Sequence, residues 1–165
     1  MPSVYLIATT NLTTTAANVT FSSIPQIYTD YKVLVSARGS LAQIYDGCSI
    51  EFNGVTTGYS WRQIQGSGAA VSSSSGSIYP EGIITGSTAT ASTFGNVEFY
   101  IPDVLGSTQK SFRVDSVNEN NATTAYTRLQ AGLWTGTAAI SSIKLIATGG
   151  SNFVSGSTFT LYGIQ

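Results

Sequence analysis

Histidine is absent from this chain of 165 residues, cysteine occurs once, and only seven basic and eight acidic side chains are present. Histidine is the side chain best suited to proton transfer near neutral pH and the commonest metal ligand in proteins. Without it, and with a single thiol, the chain lacks the usual groups for acid–base and nucleophilic catalysis. The composition therefore favours a structural or binding protein, and we predict no catalytic residue, no metal ligand and no cofactor.

The single cysteine, Cys48, has no partner for an intrachain disulfide bond. It lies on the apolar side of an alternating run, residues 48–52. An unpaired cysteine in such a position is usually a small buried hydrophobe. We therefore expect a core of apolar side chains, with Cys48 as one buried and unreactive member.

Charge and hydropathy exclude two classes of partner. The formal net charge is −1, and the basic residues stand singly along the chain, whereas affinity for nucleic acid comes from clustered Lys and Arg. No apolar stretch approaches the roughly 18 residues that span a bilayer, and the first residues do not resemble a signal peptide. We expect a soluble protein made in a cytoplasm, with neither nucleic acid nor membrane insertion.

Apolar and polar residues alternate along most of the chain, which is the pattern of half-buried strands. Turn-forming residues bound each such run. The predicted strands are residues 31–38, 48–53, 59–64, 94–101, 111–117, 123–134, 140–147 and 158–164. The dipeptide Asn53-Gly54 is typical of type I′ hairpin turns, so we expect residues 59–64 to return antiparallel to residues 48–53.

This pattern predicts a single all-β domain over residues 1–165, an antiparallel, jelly-roll-like β-sandwich of about eight to ten strands. No helix longer than two turns is expected. The side chains predicted to face inward are apolar residues on one face of their strands. They are Val33, Val35, Ile50, Phe52, Val97, Phe99, Phe112, Val114, Leu145 and Phe159.

One segment, residues 66–76, consists almost entirely of Gly, Ser and Ala. Such a composition buries little apolar surface, and it is typical of flexible segments. Both flanking regions are rich in predicted strands, so a linker between two domains is disfavoured. We interpret residues 66–76 as a long flexible loop within one domain, placed at an end of the sandwich and available for contacts.

Aromatic residues before and after this segment are the candidate contact surface. A platform on which a sugar ring stacks could consist of Tyr59, Trp61, Tyr79, Tyr126 and Trp134, with Arg62 donating hydrogen bonds. The alternative is that the rings fill the core and place their polar atoms at its edge. For Trp134, which follows Leu133, the core is the favoured location.

Two pairs of carboxylates are candidates for a glycosidase site, Glu98 with Asp103 and Asp115 with Glu119. Glycoside hydrolysis requires two carboxyl groups about 5–10 Å apart across a cleft. Their positions near predicted strand ends favour solvation, or pairing with Arg113 or Arg128, over a shared cleft floor. The sequence therefore predicts a protein that is not an enzyme.

Several segments together resemble a small β-sandwich domain of tailed bacteriophages, which occurs in short virion proteins and at the ends of fibre or baseplate proteins. The resemblance spans roughly residues 19–164. The segments that carry it are residues 19–25, 28–30, 34–38, 50–54, 94–97, 100–102, 117–123, 131–134, 138–143 and 150–164.

The resemblance implies a structural role on the virion surface, after assembly in the host cytoplasm, and supplies no catalytic residue. The favoured function is a decoration or cement protein on the head, in contact with the major capsid protein. The alternative is a fibre-tip or baseplate subunit that contacts tail proteins and host surface glycan, and a glycan-cleaving tail enzyme is the third reading. A homo-oligomer is expected, with a trimer favoured, because closed symmetry is the rule for oligomers.

Overall fold

The computed structural model describes residues 3–68, 70–121 and 124–165. In this part of the chain, twelve antiparallel strands form two sheets. The strands are β1 (Val4–Asn11), β2 (Asn18–Phe21), β3 (Asp30–Ala37), β4 (Tyr45–Phe52), β5 (Tyr59–Ser67), β6 (Ala70–Gly76), β7 (Glu81–Thr85), β8 (Gly95–Ile101), β9 (Lys110–Val117), β10 (Tyr126–Trp134), β11 (Ile143–Ala147) and β12 (Thr158–Ile164). The all-β prediction is confirmed, and the strand number slightly exceeds the predicted range. Within the same residues no helix is long and apolar enough to cross a membrane.

The two sheets differ in width. The larger has eight strands in the order β1-β12-β3-β8-β9-β10-β5-β6, and the smaller has four in the order β2-β11-β4-β7. Early and late strands are interleaved in the smaller sheet and at the β1 end of the larger one, which is the jelly-roll-like part of the topology. Strands β8, β9 and β10 instead follow one another as neighbours. Because the larger sheet has eight strands and the smaller one only four, the larger sheet extends beyond the smaller one.

The core lies between the two sheets and consists of the apolar side chains on their facing sides. All ten residues predicted to face inward are buried. Phe52, near the middle of this core, packs edge-on against Phe112 and Trp134, with ring centroids 5.2 Å and 5.5 Å away. Such edge-to-face pairs add to the stabilisation from buried apolar area. Alternation with a period of two residues is therefore a sound guide to the core of this chain.

The turn at Asn53-Gly54 has the predicted conformation but a different consequence. Both residues have positive φ, 54° and 71°, and the Val55 N–H donates to the Phe52 carbonyl at 3.0 Å. However, β5 does not return beside β4. It pairs with β10 and β6 in the other sheet, so the predicted hairpin is wrong and the turn passes the chain between sheets.

The Gly/Ser-rich segment is a second correction. Residues 70–76 form β6, which pairs with β5 over seven consecutive positions, from Trp61↔Gly76 to Ser67↔Ala70. The prediction of an irregular loop is therefore wrong for these residues, whereas their predicted exposure is confirmed. Ala69 lies outside the described residues, as do residues 122–123 of the predicted strand 123–134. Serine is tolerated here because an edge strand has solvent on several sides.

Candidate functional site

The candidate aromatic residues do not form one exposed platform. Tyr59 is only 5% exposed, and its hydroxyl accepts a hydrogen bond from the Phe52 N–H at 2.8 Å. Its ring stacks on Trp134 with an interplanar angle of 21°, and the centroid of the Tyr79 ring lies 5.0 Å from its own. Burial raises the pKa of the Tyr59 hydroxyl above its ordinary value. Tyr59 therefore lies mainly in the core, the alternative location considered for these rings, and the predicted burial of Trp134 is confirmed.

Trp61 and Arg62 lie on opposite faces of β5, because successive side chains of a strand alternate. The indole of Trp61 is half-buried and lies over Gly76, where an added Cβ would come 2.6 Å from the ring. Arg62 is exposed on the outer face and donates to the Trp61 carbonyl at 2.9 Å. These two residues therefore cannot contact the same sugar ring from one side.

Tyr79 belongs to a small polar cluster on the smaller sheet. Its hydroxyl donates to Glu51 Oε2 at 2.8 Å, and Lys144 Nζ lies 3.3 Å from Glu51 Oε1. Burial and the hydrogen bond to Glu51 raise the pKa of Tyr79 from 10.0 to about 12. Since Glu51 is buried beneath these partners, the cluster fixes the loop before β7 on the sheet.

A cleft opens beside this cluster at the same end of the sandwich. It is lined by hydroxyl and aromatic side chains from the turn after β4 and the loop before β7. The lining includes Thr56, Thr57, Tyr59, Ser77 and Tyr79. Two of the predicted aromatic residues, Tyr59 and Tyr79, therefore line this cleft.

The inner face of the larger sheet becomes polar where it extends past the smaller sheet. Gln130 accepts a hydrogen bond from the Glu81 N–H at 2.8 Å, and Ser116 Oγ accepts one from the Ile83 N–H at 3.0 Å. Arg128 Nη1 lies 3.3 Å from Glu81 Oε1. The N–H groups of Glu81 and Ile83, on the free edge of β7, thus have acceptors on the larger sheet. Side chains of the larger sheet therefore cover this edge of the smaller one.

The outer face of the larger sheet is the broadest uncovered surface of the fold. Its central charges neutralise one another: Lys32 Nζ lies 3.1 Å from Glu98, and Arg113 lies 2.7 Å from both Glu98 and Asp115. Glu98 and Asp115, which belong to different predicted carboxylate pairs, are thus joined through Arg113 and lie opposite each other on β8 and β9. Asp103 instead accepts from Thr108 in a separate turn, so it does not share a site with Glu98.

An apolar patch continues this face toward β6. Leu129 and Ile64 lie opposite each other on β10 and β5 and are 45% and 56% exposed. Val117 and Val71 occupy the next row of the same face, and Val71 is 84% exposed. We call these four residues the outer apolar patch. The sequence analysis did not predict this patch. Ile64, Val117 and Leu129 each stand between polar residues, which does not show whether they face inward or outward.

In the described residues no three potential ligands of the types His, Cys, Asp and Glu converge. Cys48 is fully buried, as predicted, and burial raises the pKa of its thiol. A protonated, inaccessible thiol is a poor nucleophile.

Comparison with protein-family models, with curated proteins and with solved structures gives no significant match for this chain. The fold and the contacts described above are therefore the basis for any assignment, together with the resemblance noted in the sequence.

Proposed function

We propose that this chain is a non-enzymatic structural protein of a tailed-bacteriophage virion, and that it decorates or cements the surface of the head. The observation that carries the proposal is the outer face of the larger sheet, eight strands wide. The charges at its centre are paired within the chain, and its apolar patch is exposed. A face whose central charges are paired, with apolar side chains at one end, suits packing against other protein.

Two further observations support a structural role. The strand segments in the sequence resemble the phage sandwich domain, and the formal net charge of −1 leaves little repulsion between copies. The partner of the outer face would be the major capsid protein. A homo-oligomer, with a trimer favoured, stays part of the proposal, and light scattering at micromolar concentration tests it.

Location and copy number test the head assignment. Particles of the phage that encodes the chain would be labelled with an antibody against it, or reconstructed by electron cryomicroscopy. Decoration requires hundreds of copies on the capsid lattice. A few copies confined to the tail or to one vertex would overturn decoration in favour of adhesion.

The second candidate function is a fibre-tip or baseplate subunit that binds host surface glycan. The cleft beside Tyr59 and Tyr79 favours it, because threonine and serine hydroxyls stand next to aromatic rings there. Its test is whether the purified protein binds host polysaccharide and blocks phage adsorption, and whether Thr57→Ala weakens both. Cleavage of that polysaccharide, lost in Glu98→Gln or Asp115→Asn, would instead support an enzyme.

A further inference from the structure

The two sheets have four edge strands, and three of them are protected. The edges are β1 and β6 in the larger sheet and β2 and β7 in the smaller one. Strand β7 has the N–H groups of Glu81 and Ile83 covered by Gln130 and Ser116. Strand β2 has only four residues. Short or covered edges resist pairing with another chain.

Strand β1 is interrupted by a bulge. Leu6 pairs with Tyr162 and Ala8 with Leu161, so Ile7 is an extra residue without an opposite partner. A bulge bends and twists the edge, and it prevents a continuous new strand from forming beside it. Strand β1 therefore carries its own protection, despite its apolar side chains.

Strand β6 has none of these devices. It is seven residues long, pairs with β5 without a register shift, and contains no charged residue and no proline. Six of its seven residues are exposed, and no hydrogen bond from another described segment reaches its free side. A long, regular and uncharged edge presents a row of unpaired N–H and C=O groups to a further strand.

We propose that β6 pairs antiparallel with β6 of a second copy across a twofold axis at Ser73, which joins the two larger sheets into one. In this register Val71 lies opposite Ser75 of the second copy, Ser72 opposite Ser74, and Ala70 opposite Gly76. Every residue of the strand finds a partner, and all the facing side chains are small. The contact is its own complement, as a twofold interface requires.

The charges and the apolar patch agree with this register. Arg62, the charged side chain next to the edge, lies on β5 opposite Ser75 of β6. Its counterpart in the second copy lies at the opposite end of the pair, so the two guanidinium groups do not face each other. The row Leu129, Ile64 and Ser73 continues across the axis into the same row of the second copy. The outer apolar patches of two copies thus become one surface.

This inference does not rest on the phage assignment. A pair of seven-residue strands buries less than a standard stable interface, so we expect a weak dimer in solution that forms with rising concentration. Within a larger assembly, the same contact would link neighbouring oligomers, trimers included.

Sedimentation equilibrium over a concentration series tests the contact. Ser73→Lys places two like charges opposite each other on the axis, and it should raise the dimer dissociation constant by at least about tenfold. Ser111→Lys adds the same charge to the same outer face on β9, away from the edge, and should leave dimerisation unchanged. Circular dichroism confirms that both variants are folded.

A disulfide trap supplies a second measurement. Residues opposite each other in an antiparallel pair have Cα atoms about 4.5–5.5 Å apart, which a disulfide can bridge. Ser73→Cys should therefore give a covalent dimer on mild oxidation, whereas Thr9→Cys on the β1 edge should not. A wild-type chain that stays monomeric and a Ser73→Cys chain that forms no cross-link would overturn the proposal. So would a dimer that Ser73→Lys leaves intact.

Discussion

The side-chain carbonyl of Gln130, on the larger sheet, accepts a hydrogen bond from the backbone N–H of Glu81, on the smaller sheet, at 2.8 Å. Gln130 is fully buried and also donates to Gln63 at 3.0 Å. A glutamine inside a sandwich is costly unless its polar atoms are paired. Here the pairing replaces the neighbouring strand that β7 lacks, so a buried polar residue closes an edge of the smaller sheet.

Gln130→Leu should destabilise the protein by about 1–3 kcal/mol, because it leaves the Glu81 N–H buried without an acceptor. Ser116→Ala should act in the same direction, since the Ile83 N–H then loses its acceptor. Chemical denaturation followed by circular dichroism measures both changes.

The matched control for these variants is Ser111→Ala, an exposed position on the outer face of β9. It should change the free energy of unfolding by less than about 0.5 kcal/mol. If Gln130→Leu is no less stable than this control, water rather than Gln130 supplies the acceptor for the Glu81 N–H.

A comparison of alanine substitutions at two glycines tests backbone strain separately from the space available for a side chain. An added Cβ would meet nothing within 4 Å at either Gly54 or Gly66, but Gly54 has a φ of +71° whereas Gly66 lies in extended β5. Gly54→Ala should therefore cost roughly 1–2 kcal/mol, the penalty for a left-handed L-residue. Gly66→Ala should be neutral or stabilise by up to about 1 kcal/mol, because it restricts the unfolded chain.

Thermal unfolding of the two variants side by side measures this difference. Equal melting temperatures would contradict the strained turn at Asn53-Gly54, and with it the sharp passage of the chain from β4 into β5.

The core could be predicted from the sequence because strand alternation is a local signal. Ile50 and Phe52 stand between polar residues, and burial follows from the two-residue period alone. The pairing of β5 was not predictable in this way. The turn at Asn53-Gly54 fixes the local reversal, whereas the partner of β5 depends on Tyr59 stacking on Trp134 much further along the chain.

The site was less predictable than the core. The inward face of β5 carries Trp61, Gln63 and Gln65, which do not read as an apolar side, so sequence could not show which face is inside. These amides face inward because Gln65 receives hydrogen bonds from Arg128, and Gln63 receives one from Gln130. A polar interior that covers another sheet's edge leaves no periodic apolar signal.

The Cys48 thiol should resist labelling in the native protein and react only when the fold opens. It is fully buried between the sheets, and its raised pKa keeps it protonated at neutral pH. Reaction with a disulfide reagent should therefore follow the rate of unfolding and accelerate with denaturant. Thr137→Cys supplies an exposed thiol as the control, and this second thiol should react at once. Rapid modification of both thiols in the folded state would contradict the closed core.

The stability of the fold should decrease in alkaline solution because buried tyrosine hydroxyls ionise. Burial and the hydrogen bond to Glu51 raise the pKa of Tyr79 from 10.0 to about 12, and burial raises the pKa of Tyr59 as well.

Because the folded state favours the neutral phenol, this contribution to stability is fully present below pH 10. It is lost as the pH rises through about 12, where the folded form of Tyr79 also ionises. Denaturant unfolding at a series of pH values should show a decrease that begins near pH 10, and tyrosinate absorbance should rise later in the folded protein than in the unfolded one.

Tyr79→Phe removes one of these phenols and its hydrogen bond to Glu51, so the variant should be less stable at neutral pH. It should also lose less stability than the wild type as the pH rises above 10. Identical alkaline slopes for the two proteins would contradict the assignment of this titration to Tyr79 and its buried partner Glu51.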